Sequence, residues 1–293
     1  MKRKGIALSL LMAMTALYMG SCNVDTFTSE KDRQLTMVYT DWSEGVALTY
    51  LSQILLEEKM DYRVTLKLTD VKTAYRELAE GKADVFADAW LPETQKQYYD
   101  QYAQQLDKLG ITYPEARTGL VVPDYSPLKT VSDLAAYDHP VIGIDIGAGV
   151  MLKTQKALEK YAPDKQLRSF SEDEMVMHLE DSIKRRKNIV VTGWEPHWIF
   201  ARYDVRFLED PDSVFGEKEK IYTISRKGLE EEHPHAVRFF ERMQLSEKQL
   251  NSLVYHMRRN EDPMVGIRQW IEKNQYVVNI WVKDLKTQRK KIM

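Results

Sequence analysis

The sequence lacks several features that would place the chain in a common class. Its 293 residues include one cysteine, so no disulfide can form within the chain. Lys and Arg number 42 against 44 Asp and Glu, a balance that does not indicate a nucleic-acid surface. The apolar run from about Ile6 to Met19 is shorter than the ~20 residues that a membrane-spanning helix needs.

Motifs of common enzyme classes are missing as well. The sequence has no nucleophile elbow, no P-loop and no H-E-x-x-H. His233 and His235 flank a proline in a charged stretch, which is more typical of a solvated helix start than of a metal site. Asp88 and Glu195 leave a carboxylate-dependent hydrolase acting on a sugar as a less favoured alternative. We expect a binding protein without a metal or cofactor.

The N-terminal segment, "MKRKGIALSLLMAMTALYMGSC", has the character of an export signal. A basic start precedes an apolar stretch, and Gly-Ser comes directly before Cys22. This order predicts a signal peptide at residues 1–21. The string "YMGSC" resembles a bacterial lipoprotein processing box, which implies cleavage before Cys22 and a lipid on its thiol. Residues 22–34 then read as a polar tether, and the protein is expected to face the periplasm or cell exterior.

Strand and helix patterns alternate after the tether. An apolar strand at 35–40 precedes a helical pattern, and the same order repeats up to "ADVFADAW". Such alternation favours a mainly parallel sheet with helices on both faces. The pattern restarts at "PVIGIDIGAGVMLKTQKALEKY". We therefore predict two lobes, the first formed by 35–121 plus 228–293 and the second by 122–227.

Three of the six tryptophans occupy equivalent places in this pattern. Trp42, Trp90 and Trp194 each stand where a predicted strand ends in a turn, and open α/β sheets place their ligands at such strand ends. Any one of them alone would be interpreted as a core residue. Together they suggest an indole cage around a cation, because a trimethylammonium group has no N–H to donate and is held by aromatic faces.

The turn "DIGAGVMLK" predicts the other half of a site. Glycines at 147 and 149 would let the backbone N–H groups of Gly149 and Val150 approach an anion at the start of a helix. A carboxylate suits this position. The alternative is a tight turn without a ligand, and the string lacks the spacing of a dinucleotide fingerprint. Beside the three tryptophans, the turn predicts a site for a zwitterion.

Five strings carry a family resemblance. In chain order, "DWSEGVA", "DVFADAWLPET", "GLVVP", "GIDIGAGVM" and "VVTGWEPHW" resemble the substrate-binding protein of bacterial ABC transporters for glycine betaine and related compatible solutes. The resemblance covers roughly Leu35 to Trp270. It implies a type II periplasmic-binding-protein fold, in which two α/β lobes close on the ligand at a two-strand hinge. It also implies that the ligand is delivered to an ABC permease, and we expect the protein to be a monomer.

The resemblance assigns roles to individual positions. It implies that Trp42, Trp90 and Trp194 form the cage and that the amides of Gly149 and Val150 take the carboxylate. Trp198 is expected in the core or behind the site.

One position departs from the family pattern. The family string reads "AWLPxTH", with a histidine that helps to bind the carboxylate, whereas this chain has Gln95. A glutamine amide donates a neutral hydrogen bond but not the charge-assisted bond of a protonated histidine. Glycine betaine remains the first expected ligand, and carnitine, proline betaine and choline stay open.

Acidic residues near these turns suggest a further alternative. Asp41, Glu44 and Asp88 would favour choline or a polyamine if they attract a cation, although helix capping and local hydrogen bonds are their more common roles. By strand alternation, Asp88 shares a face with Trp90.

Overall fold

The computed structural model describes residues 33–285. The predicted signal peptide, Cys22 and residues 22–32 of the predicted tether lie outside the described residues. Within 33–285, no helix has the length and apolar character needed to cross a membrane.

The chain runs through the first lobe, then the second, and then returns to the first. Before the crossing lie β1 (Gln34–Tyr39), α1 (Ser43–Met60), β2 (Arg63–Leu68), α2 (Val71–Ala79), β3 (Val85–Leu91) and α3 (Lys96–Tyr102). The crossing strand and second lobe contain β4 (Leu106–Pro123), β5 (Val141–Gly143), α4 (Gly149–Tyr161), β6 (Leu167–Ser169), α5 (Glu172–Lys184), β7 (Val191–Glu195), α6 (Ile199–Arg202) and β8 (Val205–Phe207). The return contains β9 (Glu219–Arg226), α7 (Leu229–Glu232), α8 (Pro234–Arg242), α9 (Glu247–Arg258), α10 (Pro263–Lys273) and α11 (Gln275–Trp281).

The strands form one continuous mixed sheet. Their order is β2-β1-β3-β9-β4-β7-β5-β6, with β8 paired to β4. In the first lobe β1 is parallel to β2 and β3, and in the second β5 is parallel to β6 and β7. The strands that join the lobes, β9 and β4, pair antiparallel to their neighbours. The two-lobed α/β fold with flanking helices, expected from the sequence, is confirmed.

The strand β4 belongs to both halves of the sheet. Its residues 106–116 pair with β9, and residues 117–121 pair with β7. The pairing therefore changes lobes between Ala116 and Arg117, a few residues before the lobe boundary predicted at 121/122. The lobe boundaries at 121/122 and 227/228 stay a prediction. Strand β9 falls within the predicted second lobe, but it pairs with β3 of the first lobe.

The sequence pattern overestimates the helix after β3. The polar segment from Glu93 to Leu106, rich in Tyr and Gln, has the sequence pattern of one continuous helix, but α3 ends at Tyr102, and a 3-10 turn leads into β4. Pairing with β9 takes Leu106 and the following residues into the sheet, so tertiary contact overrides a polar segment with ordinary helix propensity. The string Ser-Glu-Asp-Glu at 171–174 has the spacing of a capping box, and Ser171 and Glu174 form one at the start of α5.

Helix α1 shows how the fold positions the site. It is buried on most of its surface, and its N-cap is Trp42, which has extended backbone geometry and no side-chain cap. Val46 N–H donates to the Trp42 carbonyl, so the helix fixes the backbone of this tryptophan. The ends of β1, β3 and β7 thereby bring the three predicted cage residues toward the space between the lobes.

Candidate functional site

Three indole side chains surround one cavity between the lobes. Trp42 precedes α1, Trp90 lies near the end of β3, and Trp194 lies near the end of β7. All three line the same cavity, and each is at most 6% exposed. The cavity volume open to the centre of a water molecule is about 20 Å³, somewhat more than a single enclosed water needs. The side chains of the two lobes are therefore packed closely around it.

The structure brings every sequence-predicted binding residue to this cavity. Gln95, Gly149 and Val150 line it together with the three tryptophans. Sequence reasoning did not identify four further lining residues and weighed a fifth, Glu44, only as a nearby acid. These five are Glu44, Thr94, Thr118, Ile144 and Ala148.

The indole N–H groups of two of the tryptophans donate hydrogen bonds to aspartate carboxyl groups. Trp42 Nε1 donates to Asp145 Oδ2 at 3.1 Å, and Trp90 Nε1 donates to Asp88 Oδ1 at 2.9 Å. The Trp90 bond confirms that Asp88 and Trp90 share a face of β3. Trp194 instead meets the ring of His197 edge-on, with centroids 4.4 Å apart and planes at 90°. These contacts fix the orientation of the rings.

Two buried carboxyl groups lie beside the cage. Glu44 and Asp88 are 2% and 0% exposed, and Glu44 Oε2 and Asp88 Oδ2 have no hydrogen-bond partner among residues 33–285. Burial raises the pKa of Asp88 to about 8. Burial, together with the nearby charges of Asp88 and Glu172, raises the pKa of Glu44 well above its usual value. The pair therefore retains a proton at neutral pH. A cation bound nearby would favour the charged carboxylates and so promote loss of that proton.

The opposite end of the cavity is suited to an anion. Ala148 is the N-cap of the 13-residue helix α4 and provides no side-chain cap. Within the described part of the chain, the amides of Gly149 and Val150 have no hydrogen-bond partner. Free N–H groups at a helix N-terminus attract negative charge. The predicted amide donors are thus available in the structure.

A buried lysine adds positive charge behind this end. Lys153 lies one turn into α4, and its Nζ donates to Thr94 Oγ1 at 2.9 Å and to Thr118 Oγ1 at 3.3 Å. Both threonines line the cavity. Burial lowers the pKa of Lys153, although the carboxylate of Glu219 acts in the opposite direction. The sequence offered no signal for this residue, because its neighbours come from three separate segments.

The amide of Gln95 is already engaged by the protein. Tyr75 donates its hydroxyl to Gln95 Oε1 at 2.9 Å, and Gln95 Nε2 donates to the Asp88 carbonyl at 3.2 Å. One amide N–H is left for the cavity. Gln95 therefore links the first-lobe wall of the cavity to the backbone of β3.

Contact between the lobes explains why position 149 is a glycine. A Cβ at Gly149 would lie 2.1 Å from the carbonyl oxygen of Thr94 on the other lobe. The Thr94 backbone is held by Glu219, which accepts from Thr94 N at 2.9 Å and from Glu93 N at 3.0 Å. From the sequence, we interpreted this glycine as leaving room for an anion to approach the backbone amides. The structure adds close approach of the two lobes as a second reason.

The geometry does not support the hydrolase alternative. Asp88 is bonded to the cage, whereas Glu195 does not line the cavity and forms an ion pair with Arg117 at 2.7 Å. Two carboxylates flanking one substrate bond would have to face the same space. Among residues 33–285, no three His, Cys, Asp or Glu side chains are grouped as metal ligands.

The sequence matches a known protein family over most of its length. Residues 33–273 match the family model described as the substrate binding domain of ABC-type glycine betaine transport system. A curated relative, the glycine betaine/carnitine transport binding protein GbuC of Listeria monocytogenes, is 35% identical over 169 residues. That alignment covers 57% of this chain and 56% of the relative, so it spans just over half the length of GbuC.

Two solved structures have the same fold along nearly their whole length. Lactococcal OpuAC, in its closed-liganded conformation with glycine betaine, superposes with a TM-score of 0.82 at 33% identity. This match covers 86% of the present chain and 100% of that one. ProX of Borrelia burgdorferi, a glycine betaine/L-proline ABC transporter binding protein, gives a TM-score of 0.81 at 31% identity, covering 86% and 97%.

Proposed function

The chain belongs to the family of substrate-binding domains of ABC-type glycine betaine transport systems, and from this premise we propose that it captures a quaternary ammonium solute in the cavity between its lobes. Members of this family bind substrates for transport and are not enzymes. The first ligand that we propose is glycine betaine.

One observation carries the proposal. Indole rings from both lobes and two free helix-terminal amides line a single small cavity. Each ring can contribute ~0.5–2 kcal/mol to holding a methylated cation, depending on how far the contact is desolvated. The amides of Gly149 and Val150, with Lys153 behind them, complement a carboxylate. A trimethylammonium group at one end and a carboxylate at the other describe glycine betaine.

Related ligands remain candidates on chemical grounds. Carnitine and proline betaine share the quaternary nitrogen and the carboxylate. Choline lacks the carboxylate, but the buried pair Glu44 and Asp88 would favour its positive charge. A polyamine would need hydrogen-bond acceptors where indole faces lie, which makes it the weakest of these candidates.

The proposed cycle depends on closure of the lobes around the ligand. Trp42 and Trp90 come from the first lobe, and Trp194 and the amides of α4 come from the second. A ligand that contacts both lobes stabilises the closed arrangement, because those contacts are lost when the lobes separate. We infer that an ABC permease recognises this closed shape. Export outside the cytoplasm and lipid attachment at Cys22 complete the proposal.

Graded substitution of the cage tests the proposed function. We expect Trp42→Ala, Trp90→Ala and Trp194→Ala each to weaken glycine betaine binding by roughly 10- to 100-fold, since each removes a cation–π contact and buried apolar area. The matching Trp→Phe variants should also lose affinity, but less than the alanine variants, because a phenyl face still binds a cation, although more weakly than indole does. Isothermal titration calorimetry gives the affinities. Trp281→Phe, deep in the C-terminal helices, serves as the control.

A ligand series separates charge from shape. 3,3-Dimethylbutanoate has the outline of glycine betaine with carbon in place of the charged nitrogen. We expect it to bind at least about tenfold more weakly, which is the effect of ~1.4 kcal/mol of cation–π stabilisation. Equal binding of the two compounds, or undiminished affinity in any two alanine variants, would contradict the proposed cage.

A further inference from the structure

A group of polar side chains joins the lobes outside the ligand cavity. Glu172, the first residue of α5 in the second lobe, is 4% exposed. It accepts a hydrogen bond from Ser43 N at 2.8 Å and another from the Ser43 hydroxyl. Ser43 begins α1 in the first lobe and directly follows the cage residue Trp42. A carboxylate of one lobe therefore holds the helix N-terminus that carries a cage wall of the other.

An arginine of the first lobe completes the group. Arg258, at the end of α9, donates to Ser43 Oγ at 3.1 Å and to Asp173 Oδ1 at 2.8 Å, and it lies 3.8 Å from Glu172. Its guanidinium stacks 4.4 Å above the ring of Trp198. We call Ser43, Glu172 and Arg258 the clasp.

The end of the "TGWEPHW" string supports the clasp from the second lobe. Trp198 Nε1 donates to Glu172 Oε1 at 3.2 Å, and His197 Nε2 lies 3.2 Å from the same oxygen. Neither residue lines the ligand cavity. Although burial alone would raise it, contacts with His197 and Ser43 lower the pKa of Glu172 to about 2. Glu172 therefore carries its charge into the closed interface.

The clasp has different partners in the closed and open arrangements. With the lobes together, Glu172 faces the positive end of the α1 dipole and the Arg258 guanidinium. With the lobes apart, Glu172 keeps His197 and Trp198 from its own lobe but loses Ser43 and Arg258. A group that gains contacts only in one state shifts the equilibrium toward that state. The clasp thus favours closure, and it does so independently of the ligand.

We propose that Glu172 and Arg258 are positioning residues, which hold Trp42 at the ligand and keep the lobes closed without contacting the ligand themselves. They set how long a bound ligand stays, because release requires the clasp to separate first. This inference rests on the proposed function for its ligand but makes a separate statement about the empty protein. It also assigns a role to His197 and Trp198, which orient Glu172.

The test compares kinetics of matched variants. Stopped-flow tryptophan fluorescence with glycine betaine measures association and dissociation for the wild type, Glu172→Gln and Arg258→Ala. We expect dissociation to accelerate at least about tenfold in both variants, with association changed less than about threefold, because hydrogen bonds to charged groups are among the strongest in proteins. Asp181→Asn removes one charge from the same helix, where Asp181 pairs with Arg185 just past the end of α5, and should change neither rate.

Each outcome decides the inference. Faster dissociation in both variants with unchanged Asp181→Asn supports it, whereas unchanged dissociation, or an effect confined to association, overturns it. If Glu172→Gln fails to fold, Arg258→Ala decides, since its side chain is 34% exposed. If the wild type binds no glycine betaine, the proposed function fails. The inference about the clasp is then tested by small-angle scattering of the ligand-free wild type and Arg258→Ala. A larger radius of gyration in Arg258→Ala supports the clasp, and equal radii refute it.

Discussion

Gly149→Ala is the substitution that most directly tests whether binding needs the lobes to meet. The new methyl group would lie 2.1 Å from the Thr94 carbonyl oxygen, 2.3 Å from its Cγ2 and 2.8 Å from its carbonyl carbon. The Thr94 backbone cannot easily retreat, because Glu219 accepts hydrogen bonds from two successive amides there. The substitution leaves the amide N–H groups of α4 in place. It therefore perturbs closure without removing an anion donor.

The expected cost follows from the overlap. A carbon and a carbonyl oxygen normally approach no closer than about 3.3 Å, so the lobes would have to part by roughly 1 Å at this point. Overpacking a well-packed contact costs typically 1–3 kcal/mol. Because two of the obstructing atoms are backbone atoms, we expect the upper part of that range. A loss of ~2.7 kcal/mol corresponds to about 100-fold weaker binding.

Isothermal titration calorimetry with glycine betaine measures this loss, and Gly147→Ala provides the matched control. A Cβ at Gly147, in the same turn, would meet only Tyr98 Oη at 3.7 Å, an ordinary contact. We expect that variant to bind within about threefold of the wild type, since no overlap has to be relieved. Thermal unfolding of the empty Gly149→Ala protein should stay near that of the wild type. Affinity within threefold of the wild type in Gly149→Ala would refute the reasoning.

Two further predictions concern the cavity walls. Gln95→His should tighten glycine betaine about tenfold below pH 6.5, where an unperturbed imidazole is protonated and supplies a charge-assisted bond; calorimetry showing weaker carboxylate binding would place residue 95 outside the anion end. Choline affinity should rise between pH 6 and pH 9, because the pKa of Asp88 is about 8 in the empty protein and a bound cation displaces the proton. Calorimetry at both pH values should show this slope in the wild type and a reduced slope in Asp88→Asn, and a flat wild-type profile would contradict the linkage.

The sequence was sufficient to predict which six residues come together at one cavity, because most of them follow strand ends. Trp42, Trp90 and Trp194 each end or follow a strand, and the topology of an α/β sheet brings such ends together. The N-terminus of α4 was predicted for the same reason, from two glycines in a strand-to-helix turn. These features are local in sequence, so periodicity and turn chemistry reveal them.

Features that depend on contact between distant segments of the chain could not be predicted from the sequence. Glu172 meets Ser43 across 129 positions, and Lys153 meets Thr94 across 59. Single-sequence patterns indicate elements but not which polar groups those elements bring together. The start of β4 at Leu106 was missed for the same reason, since pairing with β9 rather than local propensity defines it.

The shared strand β4 has a consequence for how the molecule can be divided. Residues 106–116 complete the sheet of one lobe, and the next five complete that of the other, within a single unbroken strand. Cutting the chain at this point would leave each piece with an exposed edge whose backbone groups have lost their partners. Neither half is an excisable module. The architecture has two bodies in shape but one inseparable backbone framework, and a truncation that isolates either body removes a strand from its own sheet.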